Sequence, residues 1–434
     1  MPFDMKKILL SAILFCAMLF CLCACSGLEP VEEAPPKTTE EKREYPEVKH
    51  PVTWEEIRAV PFADPDMTEE EMRKLCTDFM RLQLSFEWTP SKTLEYTLAG
   101  LNKPMIFHRG RVYGGFPYRS FNANGNLYTL MEYYDPETGV LDPGKIPTND
   151  FLGIIGNDCA ASPFWAWNRV INSNRNFKDF KTESGFTNTG LLPQNNLLPV
   201  GGYDTISQGD WEDGEGTRGV CLANGEQKMF EAYSAVKPAD GLIHYYPHTG
   251  VLSHANHLMM ASSEATVVRR SDGSIDGEKS FITILDQRSN LTTVHNKTGT
   301  VHYEGGIDAV FTFSQLLEEY YIPFTFLEFL GLDPVEKAQA SLSREGDRFA
   351  DLQKAEVTAN YAISHAKVTF TDASGKECYS YIARPKLLNT RAFSLENLLH
   401  DTTSFHADGE KICRIEVQLG SGHVICVFEG TVQK

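Results

Sequence analysis

Positive charge is scarce in this chain. Its 434 residues carry 40 Lys and Arg against 58 Asp and Glu, a formal net charge of −18. A surface of that sign repels phosphate backbones. Beyond the N-terminal leader no basic cluster is longer than a pair such as Arg269-Arg270, so no binding to nucleic acid is expected. Long apolar runs are also missing. The longest, Ile8 to Leu22, is broken by Ser11 and falls short of the roughly 20 apolar residues that a spanning helix needs. No CxxC pair occurs after the leader, which argues against a thiolate zinc knuckle. The wide cysteine spacing argues against a small disulfide scaffold, and there are no tandem repeats. What remains is 42% hydrophobic and 23% charged, the composition of an ordered globular protein with length for two or three domains.

The N-terminus reads as a targeting segment. Lys6 and Lys7 precede the apolar run, which ends in Leu22-Cys23-Ala24-Cys25 before Ser26-Gly27. An ending Leu-x-Ala-Cys resembles the lipobox of bacterial lipoproteins. That resemblance implies a signal peptide over residues 1–24, lipid on Cys25, and an extracytoplasmic protein anchored by lipid to the bacterial cell membrane. An ordinary secretory signal or an uncleaved anchor are the alternatives, and both also export the bulk of the chain. Residues 25–50 hold Pro30, Pro35, Pro36 and Pro46 among Glu, Lys and Thr, which predicts an extended, solvated tether. Six cysteines follow the leader: Cys76, Cys159, Cys221, Cys378, Cys413 and Cys426. The last three lie near one another in sequence, and one pair of them is open to bridging.

An α+β domain is expected over residues 51–335 and a small β-rich module over 336–434. Thr68 and Glu71 fit a capping box, and Met72, Leu75, Cys76, Phe79, Leu82 and Phe86 repeat at helical spacing, which predicts a helix over 68–86. A second helix is predicted from Asp158 to about residue 172, with Pro163 in its first turns. Residues 173–222 are rich in Asn, Gly, Thr and Asp and read as a long surface insertion; 225–236 reads as helix. Strands are predicted over 242–246, 256–269 and 281–287, the last two joined by the turn Ser271–Gly277. That turn mimics the start of a calcium loop, but Thr283 stands where the bidentate Glu belongs. The aromatic-rich stretch 310–331 reads as helix and 336–350 as a charged linker. Short strands follow from 355 on, sandwich-like by pattern.

Cys159 is the sharpest chemical signal. It stands at a helix start after Asn157-Asp158, where the positive end of the helix favours thiolate and free amides can hold an oxyanion. The alternative is an inert buried thiol. A nucleophilic sulfur needs a base. Of His244, His248, His254 and His257, the last is preferred because an alternating strand, His257-Leu258-Met259-Met260, holds an imidazole rigidly. His244 is also on a strand, while His248 and His254 fall in turn-like sequence. The second ring nitrogen of the base needs an acceptor. Asp286 and Gln287 lie on the strand expected to pair with that of His257, and alternation lets only one of them face it. Asp286 is favoured for its charge, with Gln287 close behind.

The block Asp158-Cys159-Ala160-Ala161-Ser162-Pro163-Phe164-Trp165-Ala166-Trp167 resembles the Asp-Cys-Ser-Gly-Phe-x-x-Trp-x-Trp block of NlpC-type cell-wall endopeptidases and the related CHAP amidases. Tyr113-Gly114-Gly115, His257-Leu258-Met259-Met260 and Ile284-Leu285-Asp286-Gln287 resemble their other conserved segments in the same order. Ala160-Ala161 replaces Ser-Gly and Asn256 replaces the Gly before the His, departures that bear on the substrate. The resemblance covers about residues 100–330. It implies a papain-like fold, a Cys-bearing helix on an antiparallel sheet, and hydrolysis of amide bonds in peptidoglycan peptides without metal or cofactor. It also implies a hydrogen bond from Tyr113 near the thiolate; a core or turn tyrosine is the alternative. Trp165 and Trp167 are expected in the core. A catalytically inactive, lipid-anchored lipoprotein that binds cell wall or another ligand is the competing reading.

Overall fold

Thr68 starts the long N-terminal helix as its sequence predicts. Its hydroxyl accepts the Glu71 amide at 3.3 Å, and the Glu71 carboxylate accepts the Thr68 amide at 2.8 Å. The helix, α1, runs Glu69–Ser85 and buries Met72, Leu75, Cys76 and Phe79 on one face. A computed structural model describes residues 45–98, 103–119, 125–171, 197–206, 216–245, 257–288, 291–292, 302–303, 306–346, 348–396 and 411–432. The leader, Cys25 and most of the expected tether lie outside the described residues, as do His248 and His254. The end of the expected tether is docked instead of free. The Lys49 and His50 amides donate to Glu87 Oε2 at 3.0 and 3.3 Å, and the Val52 amide donates to the Tyr134 hydroxyl at 3.2 Å.

The protein is mixed α+β with several sheets. The largest has six antiparallel strands: β1 (Leu197–Pro199), β2 (Gly241–His244), β3 (His257–Ala261), β4 (Phe281–Leu285), β5 (Ile307–Thr312) and β6 (Ile322–Phe326), in the order β5-β4-β3-β2-β6-β1. The predicted pairing of the His257 strand with the 281–287 strand is present, with Ile284 opposite Ala261 and Leu285 opposite Met260. Leu258, Met260, Ile282, Ile284 and Leu285 are buried. Side chains of this size each contribute about 1.5–3 kcal/mol when fully withdrawn from water. Helix α2 (Ala161–Trp167) packs against α1 and β3.

Three sequence expectations need correction. The stretch 310–331 is not one helix but the end of β5, a short helix Phe313–Glu318 opened by a Thr312–Gln315 capping box, and β6. Pairing with two segments distant in sequence, Phe281–Leu285 at one end and Gly241–Ile243 at the other, divides the stretch into strand, helix and strand. The expected insertion 173–222 supplies β1 and a helix, Gly216–Asn224, whose Val220 and Cys221 are buried; residues 172–196 and 207–215 within it lie outside the described residues. The expected linker 336–350 contains the strand Ala340–Ser343, paired with Glu356–Ala359.

The C-terminal region forms a three-stranded sheet (Ala340–Ser343, Glu356–Ala359, Ala392–Ser394) and a four-stranded one. The latter has Glu377–Ala383 and Val424–Val432 at its edges around Ile363–Thr371 and Lys411–Leu419. Val357, Tyr361, Val368, Phe370, Cys413 and Ile415 are among its own core. All six cysteines of the described chain are free, so no pair of Cys378, Cys413 and Cys426 is bridged; Cys378 and Cys426 lie on opposite edge strands. This region is tied to the rest. Ser364 Oγ donates to Asn126 Oδ1 at 2.9 Å, the Tyr361 hydroxyl donates to the Val170 carbonyl at 3.3 Å, and Arg384 donates to the Tyr133 hydroxyl at 2.8 Å. From Tyr45 on, the chain is one compact unit. Among the described residues no helix is long and apolar enough to cross a membrane.

Candidate active site

The residues around Cys159 are held by backbone pairing before any side chain acts. The Asn157 amide donates to the Pro117 carbonyl at 3.0 Å, and the Arg119 amide donates to the Asn157 carbonyl at 2.8 Å, a short parallel bridge between Tyr118 and Asn157. Asn157 Nδ2 adds a bond to the Gly125 carbonyl at 2.9 Å. Cys159 and Ala160 then form a turn that leads into α2. The helix is thus shorter than predicted and begins after the cysteine. Asp158 Oδ1 accepts the Ala160 and Ala161 amides at 3.0 and 2.8 Å. Those are the amides expected to hold an oxyanion, and the Asp158 carboxylate already engages them. Behind the sulfur, Gln83 Nε2 on α1 donates to the Ser162 carbonyl at 3.0 Å, and Trp167 Nε1 donates to the Ala239 carbonyl at 2.8 Å. Trp165 and Trp167 are buried in the core, as expected.

The sheet brings His257 to this turn. Continuing the β3–β4 register one step past Leu285 sets Asp286 opposite Met259, so Asp286, Met259 and His257 share a face and Gln287 takes the other. The His257 ring meets two groups. Its Nε2 lies 2.7 Å from Asp286 Oδ1, and its side chain is hydrogen-bonded to Cys159. The Asp286 contact lies off the ring N–H axis, so it is an ion pair by distance and not an aligned hydrogen bond. Burial works against the imidazolium. The charge of Asp286, its contact with the ring and the Cys159 sulfur outweigh burial and hold the His257 pKa up at about 10. Gln287 is fully buried and donates from Nε2 to the Phe116 carbonyl at 3.0 Å, away from the imidazole. Of Asp286 and Gln287, it is Asp286 that contacts the ring. Cys159 is buried, with 7% of its surface exposed.

The tyrosine beside the sulfur is Tyr118, not Tyr113. The Tyr113 hydroxyl accepts the His108 amide at 2.6 Å and its ring packs on Trp88 and Phe107, which is the core-tyrosine reading. Tyr118 is hydrogen-bonded to Cys159, and burial, then the nearby Cys159 and Asp158 charges, hold its hydroxyl protonated well above the usual phenol range. The pairing of 117–119 with Asn157 puts it there, and no spacing in the sequence announces that pairing. Arg288 was also missed. Its Nε donates to Asp286 Oδ2, and its position two residues beyond Asp286 was the available signal, since alternate residues of an extended chain share a face. His244 stands opposite His257 in the β2–β3 ladder, its Nδ1 engaged by the Glu319 carbonyl, and Tyr321 lies against both imidazoles. Among the described residues no group of three or more His, Cys, Asp or Glu side chains is arranged to hold a metal ion.

No protein-family model matches the chain, and no curated protein or solved structure matches it significantly.

Proposed function

We propose that the protein is a thiol hydrolase of papain-like architecture that cleaves amide bonds in peptidoglycan peptides. It would act outside the cytoplasm on a lipid anchor at Cys25, with the C-terminal β region as a sandwich-like module. The single observation that carries this reading is one imidazole, His257, shared between a buried carboxylate and a cysteine sulfur. A cationic imidazolium beside a sulfur favours thiolate. In the proposed resting state the Cys159 proton already sits on His257, leaving thiolate beside imidazolium, and the sulfur attacks the amide carbonyl. Tyr118, a protonated donor at the sulfur, stabilises the tetrahedral oxyanion in place of the helix-start amides. His257 then protonates the leaving amine, and water hydrolyses the thioester. Asp286 pairs with the ring and stabilises its charge. The choice of peptidoglycan rests on the sequence resemblance.

Two measurements test this. Alkylation of Cys159 near neutral pH, mapped by peptide because Cys378 and Cys426 are exposed, should be fast and should fall at least tenfold in His257→Ala. Release of amines from purified peptidoglycan should fall by about 10²–10⁴-fold in the same variant and vanish in Cys159→Ala. Equally slow labelling of Cys159 and the buried Cys221 would sink the catalytic reading and leave the binding lipoprotein.

A further inference from the structure

The Asp286 side chain is fully buried and has two partners, one on each oxygen. Oδ1 faces His257 Nε2 at 2.7 Å, off the N–H axis, and Oδ2 accepts from Arg288 Nε. An off-axis contact gives the carboxylate little direction, because hydrogen bonds weaken steeply away from linearity. Direction must come from the other oxygen. Arg288 is itself held on two neighbouring strands. Its Nη2 lies 3.7 Å from Met259 Sδ on β3, and its guanidinium sits 5.2 Å from the centre of the Phe311 ring on β5. The planar fork therefore spans β3, β4 and β5 and meets the carboxylate at a fixed angle, which a lysine ammonium cannot reproduce.

We propose that Arg288 is a positioning residue: its guanidinium braces the Asp286 carboxylate on Oδ2 and so fixes the oxygen that orients His257. It acts through Asp286 and need not touch substrate. The inference rests on the thiol-hydrolase reading for its functional meaning, but its geometry is independent of the substrate. Titratable groups facing His257 are Asp286, Cys159 and His244, with Tyr321 packed alongside; those facing Arg288 are Asp286, Tyr321 and Glu319.

The test uses the full chain labelled with ¹³C-histidine. The His257 resonance, assigned by its loss in His257→Ala, is titrated by NMR in wild type, Arg288→Met, Arg288→Lys and Asp286→Asn. The pH profile of Cys159 alkylation is followed in parallel. In Arg288→Met the His257 midpoint should fall by at least one pH unit, in the direction of Asp286→Asn, with the alkylation profile moving likewise. Arg288→Lys, which restores charge without the fork, should stay near Arg288→Met. Phe311→Leu, which removes the ring under the guanidinium, should shift the midpoint the same way by less, and serves if Arg288→Met does not fold. An unmoved or raised midpoint in Arg288→Met, or full rescue by lysine, overturns the proposal. Failure of the hydrolase reading shows separately, as Cys159 labelling indifferent to His257→Ala.

Discussion

At the scale of single residues, His257 is where opposing forces meet. Burial alone would drive a proton off the imidazole, and Asp286 reverses that by ion pairing. The native ring holds its proton up to about pH 10, against an ordinary value of 6.5. Between those values the folded state binds a proton that the unfolded state has lost. The pair's contribution to stability is therefore complete below about pH 6.5 and is lost as pH rises toward 10. The stability difference between wild type and His257→Gln, measured by urea unfolding, should be largest near pH 6 and shrink steadily toward pH 10. A difference that stays flat or widens over that range would mean that the ring is not held as the cation.

At the scale of elements, Cys159 is positioned by strand-like pairing more than by its helix. The segments 117–119, 125 and 155–157 are stitched together through backbone atoms. Gly125 lies inside this stitching: a Cβ there would sit 2.1 Å from the Ile155 carbonyl oxygen and 2.5 Å from that of Gly156. Both are backbone atoms and cannot swing away, so the segments must part. Gly125→Ala should cost about 1–3 kcal/mol, read by chemical denaturation. It should also slow Cys159 labelling, since the turn loses its support. Wild-type stability and labelling together would show that the pairing does not set the site.

At the scale of the whole molecule, the C-terminal sheets have their own core yet lean on the remainder. Arg169, nearly fully buried just beyond α2, donates to the Tyr128 hydroxyl at 2.6 Å and the Val60 carbonyl at 2.6 Å. Gly422 of the C-terminal hairpin closes on the same guanidinium, and His423 stacks on Phe62 at 4.1 Å. The polar seam of Asn126, Thr129, Ser364 and His365 is buried and internally bonded; separating it would leave these groups unpaired, at about 1–3 kcal/mol each. One cooperative transition is expected. The five tryptophans all precede residue 212 and report on the N-terminal part, while the buried Cys413 thiol reports on the C-terminal part. Tryptophan fluorescence and Cys413 reactivity should change at the same urea concentration. Separate midpoints would make the C-terminal region an independent domain.

Helix α1 and the strand pair of β3 and β4 were legible in the sequence, as was the rule that only one of Asp286 and Gln287 faces His257; the register decided which. Each depends on local periodicity or alternation, which a few residues encode. Cys159 and His257 were candidates for the same reason, one at a helix start and one on a strand, and the fold brings their side chains into contact. Tertiary structure alone decided the rest. Tyr118 in place of Tyr113 and the strand–helix–strand path of 307–326 arise from pairing between segments distant in sequence, whereas the Asp158 carboxylate on the helix-start amides and the Arg288 contact with Asp286 are local contacts set by side-chain direction. Neither leaves a periodic mark along the chain.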